Sequence, residues 1–267
     1  VIKYQTATTA ERAWRLTIGK ILKVGEVVTP RKMPTKEILH HTISVNTLQP
    51  VLVCKRRKLS YKFMAAEAYW IISGDNKVKS IAPYCKAISN FSDNGLTFFG
   101  AYGPHIKSQL DYVVKTLKAD VRSRQAVLTI WIRNPPASKD IPCTVAISFM
   151  IRNGELNIHV FMRSSDAWLG LPYDIFNFSM LCYLVCSRLR GTYSTLTPGT
   201  LHLTMASSHL YSKNVDDAGA CLKIPFSEHC AYPLAKMYKD EDFLFSVLDH
   251  IRAKNQAFHW WKMRGIQ

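Results

Sequence analysis

The residue best placed for chemistry is Cys143, which follows Asp140-Ile141-Pro142 and opens a run of strand formers. A proline-ended loop that delivers a thiol to the start of a strand can leave the sulfur beside the mouth of a pocket. Taken alone, a free cysteine is more often a small packing residue. The neighbourhood that changes this reading is Arg163-Ser164-Ser165-Asp166, where an arginine, two hydroxyls and a carboxylate end a strand before a Gly and Pro turn. Arg163 offers a planar fork suited to phosphate or to lowering the pKa of a nearby thiol. The structural alternative is an ion pair at a strand end. The remaining cysteines, at 54, 85, 182, 186, 221 and 230, are scattered. Seven in all, an odd number without dense spacing, point to a reducing cytoplasm rather than a disulfide scaffold. Cys182 and Cys186 lie four apart in an apolar helical run with no second pair to complete a site, so they read as buried thiols and no metal is expected.

Three further polar residues sit in suggestive places. Glu67 interrupts the apolar helix from Phe63 to Ile72, which weighs against full exposure. His209 and Tyr211, two apart on an extended segment, point the same way. The formal net charge of +16, from 35 Lys and Arg against 19 Asp and Glu, calls for anionic partners. Apart from Lys55-Arg56-Arg57-Lys58 the basic residues are spread along the chain, whereas a nucleic-acid reader concentrates them beside stacking aromatics. The charge alone leaves open a solvated basic face and a dedicated phosphate or polyanion site. A basic nucleic-acid-binding protein is the alternative from a different class.

Arg163-Ser164-Ser165-Asp166, followed by Leu169-Gly170-Leu171-Pro172-Tyr173-Asp174, closely resembles the signature of the thymidylate synthase family, with Pro142-Cys143 one hairpin upstream where that family has its nucleophile. Further matches fall in the same order: Ala66-Glu67-Ala68-Tyr69-Trp70 with Ser73-Gly74-Asp75, Ala101-Tyr102-Gly103, Arg122-Ser123-Arg124 and Ser208-His209-Leu210-Tyr211. The resemblance runs from about Arg31 to Tyr211. It implies that Cys143 adds to C6 of a pyrimidine nucleotide so that C5 can attack a one-carbon unit carried by 5,10-methylenetetrahydrofolate. It implies catalytic roles for Glu67, Tyr102 and Asp166. It gives Arg31, Arg163, Ser164, Ser165, Asp174, His209 and Tyr211 to the nucleotide, with Arg124 reaching the phosphate across a homodimer. Asp166, Gly170, Arg57 and Lys58 would meet the folate.

The departures are informative. Tyr173-Asp174 replaces the usual Phe-Asn. A protonated or proton-sharing carboxyl can complement N3 and the amino group of cytosine, and the same change distinguishes phage deoxycytidylate hydroxymethylases within the family. The stretch Ile88-Ser89-Asn90-Phe91-Ser92-Asp93 lacks the family's screening tryptophan, and the chain ends Trp261-Lys262-Met263-Arg264-Gly265-Ile266-Gln267 rather than in a valine-rich tail. Both favour capture by water and a 5-hydroxymethyl product. Gln125 stands where a second arginine is usual, which removes one phosphate contact.

These residues need positioning elements. Periodicity and capping predict helices over Thr9–Lys23, Tyr61–Ser73, His105–Leu117, Ile175–Leu189 and Asp242–Arg252. Strands are predicted at Ile38–Val45, Ala126–Trp131, Thr144–Ile151, Leu156–Met162 and Leu201–Met205, with Asn153-Gly154 as a hairpin turn. Gly25–Lys36 reads as a loop. The expected class is α+β, one domain over residues 1–267, with a mostly antiparallel twisted sheet packed against helices and, from the resemblance, a sheet face forming the dimer interface. No apolar run suggests a membrane span and no leader is apparent. The expected protein is a cytoplasmic, phage-encoded dCMP hydroxymethylase. A dUMP hydroxymethylase and a methylase of either nucleotide are its sister readings.

Overall fold

Helix α1 (Ala10–Val24) starts where Thr9 accepts a hydrogen bond from the Arg12 N–H through its hydroxyl, the expected cap. Its apolar stripe buries Trp14, Ile18 and Ile21 completely. The computed structural model describes residues 8–225 and 236–253. Cys230 and the terminal Trp261–Gln267 segment lie outside them.

Downstream of α1, strand β1 (Glu26–Val28) pairs with the start of β2 (Thr35–Asn46), so the segment expected to be a loop is a hairpin with Arg31 at its tip. Helix α2 (Tyr61–Ile72) is capped by Ser60 and carries Glu67. After α2 come a short helix α3 (Val78–Ile81) and a helical turn over Lys86–Phe91. Helix α4 (Tyr102–Ala119) and helix α5 (Leu171–Leu189) each begin three or four residues earlier than periodicity alone predicts. Pro104 and Pro172 mark those early turns, where a missing N–H costs nothing. The earlier start brings Tyr102 and Asp174 into their helices' first turns.

The sheet has the order β1-β2-β7-β5-β4-β3, with β3 (Val127–Thr129), β4 (Thr144–Arg152), β5 (Glu155–Met162) and β7 (Thr197–Tyr211), while β6 (Ser165–Asp166) pairs with the end of β7. Pairing is antiparallel except where β5 and β6 run parallel to β7. Asn153 and Gly154 both take positive φ at the β4–β5 hairpin, as a two-residue primed turn requires. Strand β7 is 15 residues long, three times the predicted core, because β2 on one side and β5 and β6 on the other pair its polar ends. Helices α6 (Val215–Leu222) and α7 (Glu241–Ala253) complete the described residues. Among them no helix is long and apolar enough to cross a membrane.

One face of the sheet is core: Ile147, Val160, Leu203 and Ile43 form a row across four strands and are almost fully buried beneath α5. Cys182 and Cys186, fully buried in α5, donate to the Leu156 and Leu196 carbonyls. The register puts Thr129, Ala146, Phe161, Thr204 and Thr42 in one row on the opposite face, and Val127, Ser148, His159, His202 and Ser44 in the next. Neither row contains an acidic residue, a lysine or an arginine, in a chain that is one fifth charged.

Two polar contacts tie α1 to the functional region. The Trp14 indole donates to the Ala167 carbonyl at 2.7 Å. The buried Glu11 carboxylate accepts from Arg15 and from the backbone N–H groups of Val53 and Cys54, which fixes the approach to the basic 55–58 segment. Glu11→Ala takes the carboxylate from the buried Arg15 guanidinium, which keeps its bonds to the Cys221 and Ile224 carbonyls, and leaves two backbone donors without their acceptor. It is expected to lower unfolding stability in urea by about 3–5 kcal/mol, and a loss below about 1 kcal/mol would show that water replaces the carboxylate.

Candidate active site

Cys143 ends the 138–142 loop and lines a cavity of about 180 Å³ together with Glu67, Tyr102, Asp174, Asn177 and the apolar Trp70, Ile88, Phe91 and Phe98. The loop is built tightly. The Asp140 carboxylate accepts from the Gly100 N–H at 2.7 Å, and a Cβ at Gly100 would meet the Asp140 carbonyl at 2.5 Å, so only glycine permits this approach. Arg163, just past β5, donates from Nε to the Pro142 carbonyl and from Nη2 to the Ile141 carbonyl, both at 2.9 Å. Its own N–H donates to the Cys143 carbonyl at 2.8 Å.

A second pocket of about 420 Å³ shares Ile141 as a wall and is lined by Arg31, Arg163, Ser164, Ser207, His209, Tyr211, Glu37 and Trp131. His209 and Tyr211 share a face, as their spacing predicts, with rings 5.4 Å apart edge to face. Burial pushes the His209 imidazole below its ordinary value, opposed by the nearby Asp166 and Glu37 carboxylates. Glu37 is itself hydrogen-bonded to Ser207 across the β2–β7 pair. An uncharged imidazole and a phenol suit a sugar hydroxyl, and the two arginines suit a phosphate.

The titratable groups of the first cavity perturb one another. Burial pushes the Cys143 thiol up; Arg163 pulls it down and Asp174 pushes it up again. The Asp174 carboxyl is held well above the ordinary carboxylate range by burial, then by Glu67 and Asp166. Glu67 is raised to about 7 by burial, partly offset by a 2.8 Å bond from the Asn177 side-chain amide. At neutral pH the pair is best written with Asp174 neutral and Glu67 close to half ionised. Tyr102 keeps its proton, its phenol oxygen accepting from the Thr144 N–H at 3.3 Å. The cavity thus offers a thiol, a neutral carboxyl that both donates and accepts, a carboxyl poised to exchange protons, and a phenol.

The other expected residues fall around these pockets. Asp166 accepts from the Trp168 and Leu169 N–H groups through one oxygen, while the other is buried without a hydrogen-bond partner. The hydroxyls of Ser165 and its cross-strand partner Ser208 are likewise buried and unpartnered. Gly170 precedes α5, where an added Cβ would stand 3.4 Å from the Asp174 carboxylate. Arg57 is engaged in the structure itself, donating twice to the Trp168 carbonyl and lying 4.5 Å over its ring. Lys58 stands exposed in a left-handed turn. Arg124 is exposed and lines neither pocket. Sequence reasoning missed Asn177, which reads as one more position in a buried helix, and Glu37, whose place opposite His209 follows only from strand register.

Comparison with known families matches the thymidylate synthase model to residues 13–255. Among curated relatives, the deoxyuridylate hydroxymethyltransferase of Bacillus phage SP01 is 29% identical over 225 residues, covering 76% of this chain and 56% of that protein. The chain therefore spans little more than half the length of that relative.

The Glu67 environment has a measurable cost. Its carboxyl ionises near 4.5 when unfolded and near 7 when folded, so between these values the folded protein holds a proton that the unfolded chain has released. Stability contributed by Glu67 therefore falls as pH rises through that window. Glu67→Gln, which keeps an acceptor for Asn177, is expected to match the wild type near pH 4 and to exceed it at pH 8 by at most about 3 kcal/mol in urea unfolding. Parallel pH profiles for the two proteins would contradict this.

Proposed function

The chain belongs to the thymidylate synthase family, and from that premise we propose that it is a folate-dependent one-carbon transferase that hydroxymethylates C5 of dCMP. The observation that carries the reading is Cys143 sharing one cavity with Glu67, Tyr102 and Asp174, beside a pocket lined by Arg31, Arg163, His209 and Tyr211. A nucleoside monophosphate has the two ends these pockets suit. Arg31, Arg163 and Ser164 take the phosphate, the buried hydroxyl of Ser165 is available to the nucleotide, and His209 and Tyr211 take the sugar hydroxyl.

The Cys143 sulfur adds to C6 as thiolate, which turns C5 into a carbon nucleophile. Arg163 and Arg31 favour that thiolate, and a neutral Asp174 spares it a second negative charge. Once C5 has bonded to the one-carbon unit, loss of the C5 proton would expel the carrier's amine nitrogen from that carbon, leaving an exocyclic methylene on the ring and free tetrahydrofolate; Glu67, near 7, suits the proton transfers of the ring and of water. Water adds to the exocyclic methylene as the Cys143 sulfur leaves C6, restoring the ring and giving the hydroxymethyl product.

The residues present fit 5,10-methylenetetrahydrofolate: the buried, unpartnered oxygen of Asp166 is an acceptor awaiting a ring N–H. When bound, that cofactor supplies a methylene carbon at the oxidation level of formaldehyde. Gly170 keeps the start of α5 close, Arg57 secures the Trp168 carbonyl, and the exposed Lys58 offers charge to an acidic tail. Water capture is supported by Ile88 and by Phe91, which line the cavity without enclosing it, Phe91 being 55% exposed.

A neutral carboxyl at Asp174 can complement cytosine, and the aspartate at this place of the motif, as in the family's deoxycytidylate hydroxymethylases, supports that base. The named activity of the SP01 relative favours dUMP as the second reading. A homodimer is supported by the two uncharged rows on the outer face of the sheet, and by Arg124, which lies outside its own subunit's pockets and would serve the partner's phosphate.

With dCMP and methylenetetrahydrofolate the protein is expected to yield 5-hydroxymethyl-dCMP by mass, and Cys143→Ser to yield none. Asp174→Asn is expected to shift preference toward dUMP. A methyl product with dihydrofolate would overturn hydroxymethylation, and no product from either nucleotide would refute the enzyme reading. Shared sites make a second expectation: mixing Arg124→Ala with Cys143→Ser subunits, each impaired, should restore about a quarter of wild-type activity, since half the dimers then hold one complete site. Failure to complement after confirmed subunit exchange would place Arg124 outside the partner's site.

A further inference from the structure

A neutral carboxyl at Asp174 does not by itself tell cytosine from uracil. Its hydroxyl can donate to N3 of cytosine while its carbonyl accepts from the amino group, or donate to O4 of uracil while the carbonyl accepts from N3-H. The two oxygens simply exchange roles, and no hydrogen bond from the described residues to the Asp174 carboxyl fixes which one holds the proton. Discrimination at C4 needs a second group whose polarity cannot reverse.

Asn177 has that property. It lies one helical turn after Asp174 on α5, so the two side chains are neighbours on one face. It is 3% exposed and lines the same cavity. Its amide nitrogen is committed to the Glu67 carboxylate at 2.8 Å, and its carbonyl oxygen is buried with no hydrogen-bond partner. Orphaned buried acceptors are rare in folded proteins, and one that lines a ligand cavity is accounted for when the ligand brings the donor. While Glu67 is ionised the bond to it also fixes the amide, because turning it over would set the carbonyl against the carboxylate.

An exocyclic amino group carries two N–H bonds, of which Asp174 takes one. The second needs an acceptor, and an exocyclic oxo group in its place would set lone pair against lone pair. We propose that Asn177 is a specificity-determining residue that reads the substituent at C4 of the pyrimidine, its Glu67-anchored amide presenting a fixed acceptor to the amino group of cytosine. The proposal rests on the nucleotide reading above and gives Glu67 a part in base choice besides proton transfer.

The test is equilibrium binding of dCMP and of dUMP to the wild-type chain, to Asn177→Leu and to Asn177→Ser. The leucine removes the acceptor at similar volume. The serine hydroxyl can accept from an amino group or donate to an oxo group, and it serves if the leucine variant does not fold. The wild type is expected to prefer dCMP, and each variant to lose about tenfold in the ratio of the two affinities, the scale of one directed hydrogen bond. A general packing defect would weaken both nucleotides alike, and an unchanged ratio overturns the proposal while leaving the nucleotide reading intact. Wild-type preference for dUMP overturns both the role of Asn177 and the choice of base. Binding of neither nucleotide refutes the proposed function as a whole.

Discussion

The structure of the site depends on one side chain, Arg163. Its guanidinium donates to the carbonyls of Ile141 and Pro142, and its backbone N–H donates to the carbonyl of Cys143, so three consecutive residues, 141–143, are held by one residue just past the neighbouring strand. The same cation lowers the thiol's proton affinity and faces the second pocket beside Arg31. Geometry and electrostatics are therefore joined. Lysine could supply the charge, but a single ammonium could not span two successive carbonyls in the plane of a guanidinium. The β4–β5 hairpin, closed by Asn153-Gly154, sets Cys143 and Arg163 opposite each other at its open end.

Around this clamp the chain holds groups that a purely stable protein would avoid. Glu67 and Asp174 occupy one small cavity, burial raising both carboxyls and Glu67 raising Asp174 further, and an amide carbonyl and an indole N–H are buried there unpaired. Such features cost stability and persist where a ligand completes them. The cost is carried by an extensive core, in which α5 is buried along most of its length against the sheet. α1 braces the segments at Ala167 and at Val53-Cys54 through Trp14 and Glu11.

Much of this was legible in the amino-acid sequence, for identifiable reasons. Helices α1 and α2 carry both a cap residue and a strong apolar pattern, and the β4–β5 hairpin carries alternation and an Asn-Gly turn, so local chemistry and final structure agree. Cys143, Arg163 and Asp174 stood out because they lie in short motifs whose order is preserved. Strand β7 was underestimated because its ends, Pro198-Gly199 and Ser207-Ser208, are poor strand formers that only pairing with β5 at one end and with β2 and β6 at the other makes extended. Asn177 was invisible for a different reason. Its importance lies in a bond to a residue 110 positions away and in an acceptor left empty, and neither leaves a trace in local pattern.

The account as a whole stands on Cys143 bonding to the pyrimidine ring. A 5-fluoro analogue of dCMP tests this directly, because fluorine at C5 cannot depart as a cation and the covalent adduct cannot resolve. Incubated with this analogue and methylenetetrahydrofolate, the protein should gain the mass of nucleotide and one-carbon carrier, and peptide mapping should place both on the segment containing Cys143. An unmodified Cys143, or an adduct on any other of the cysteines, would contradict the account.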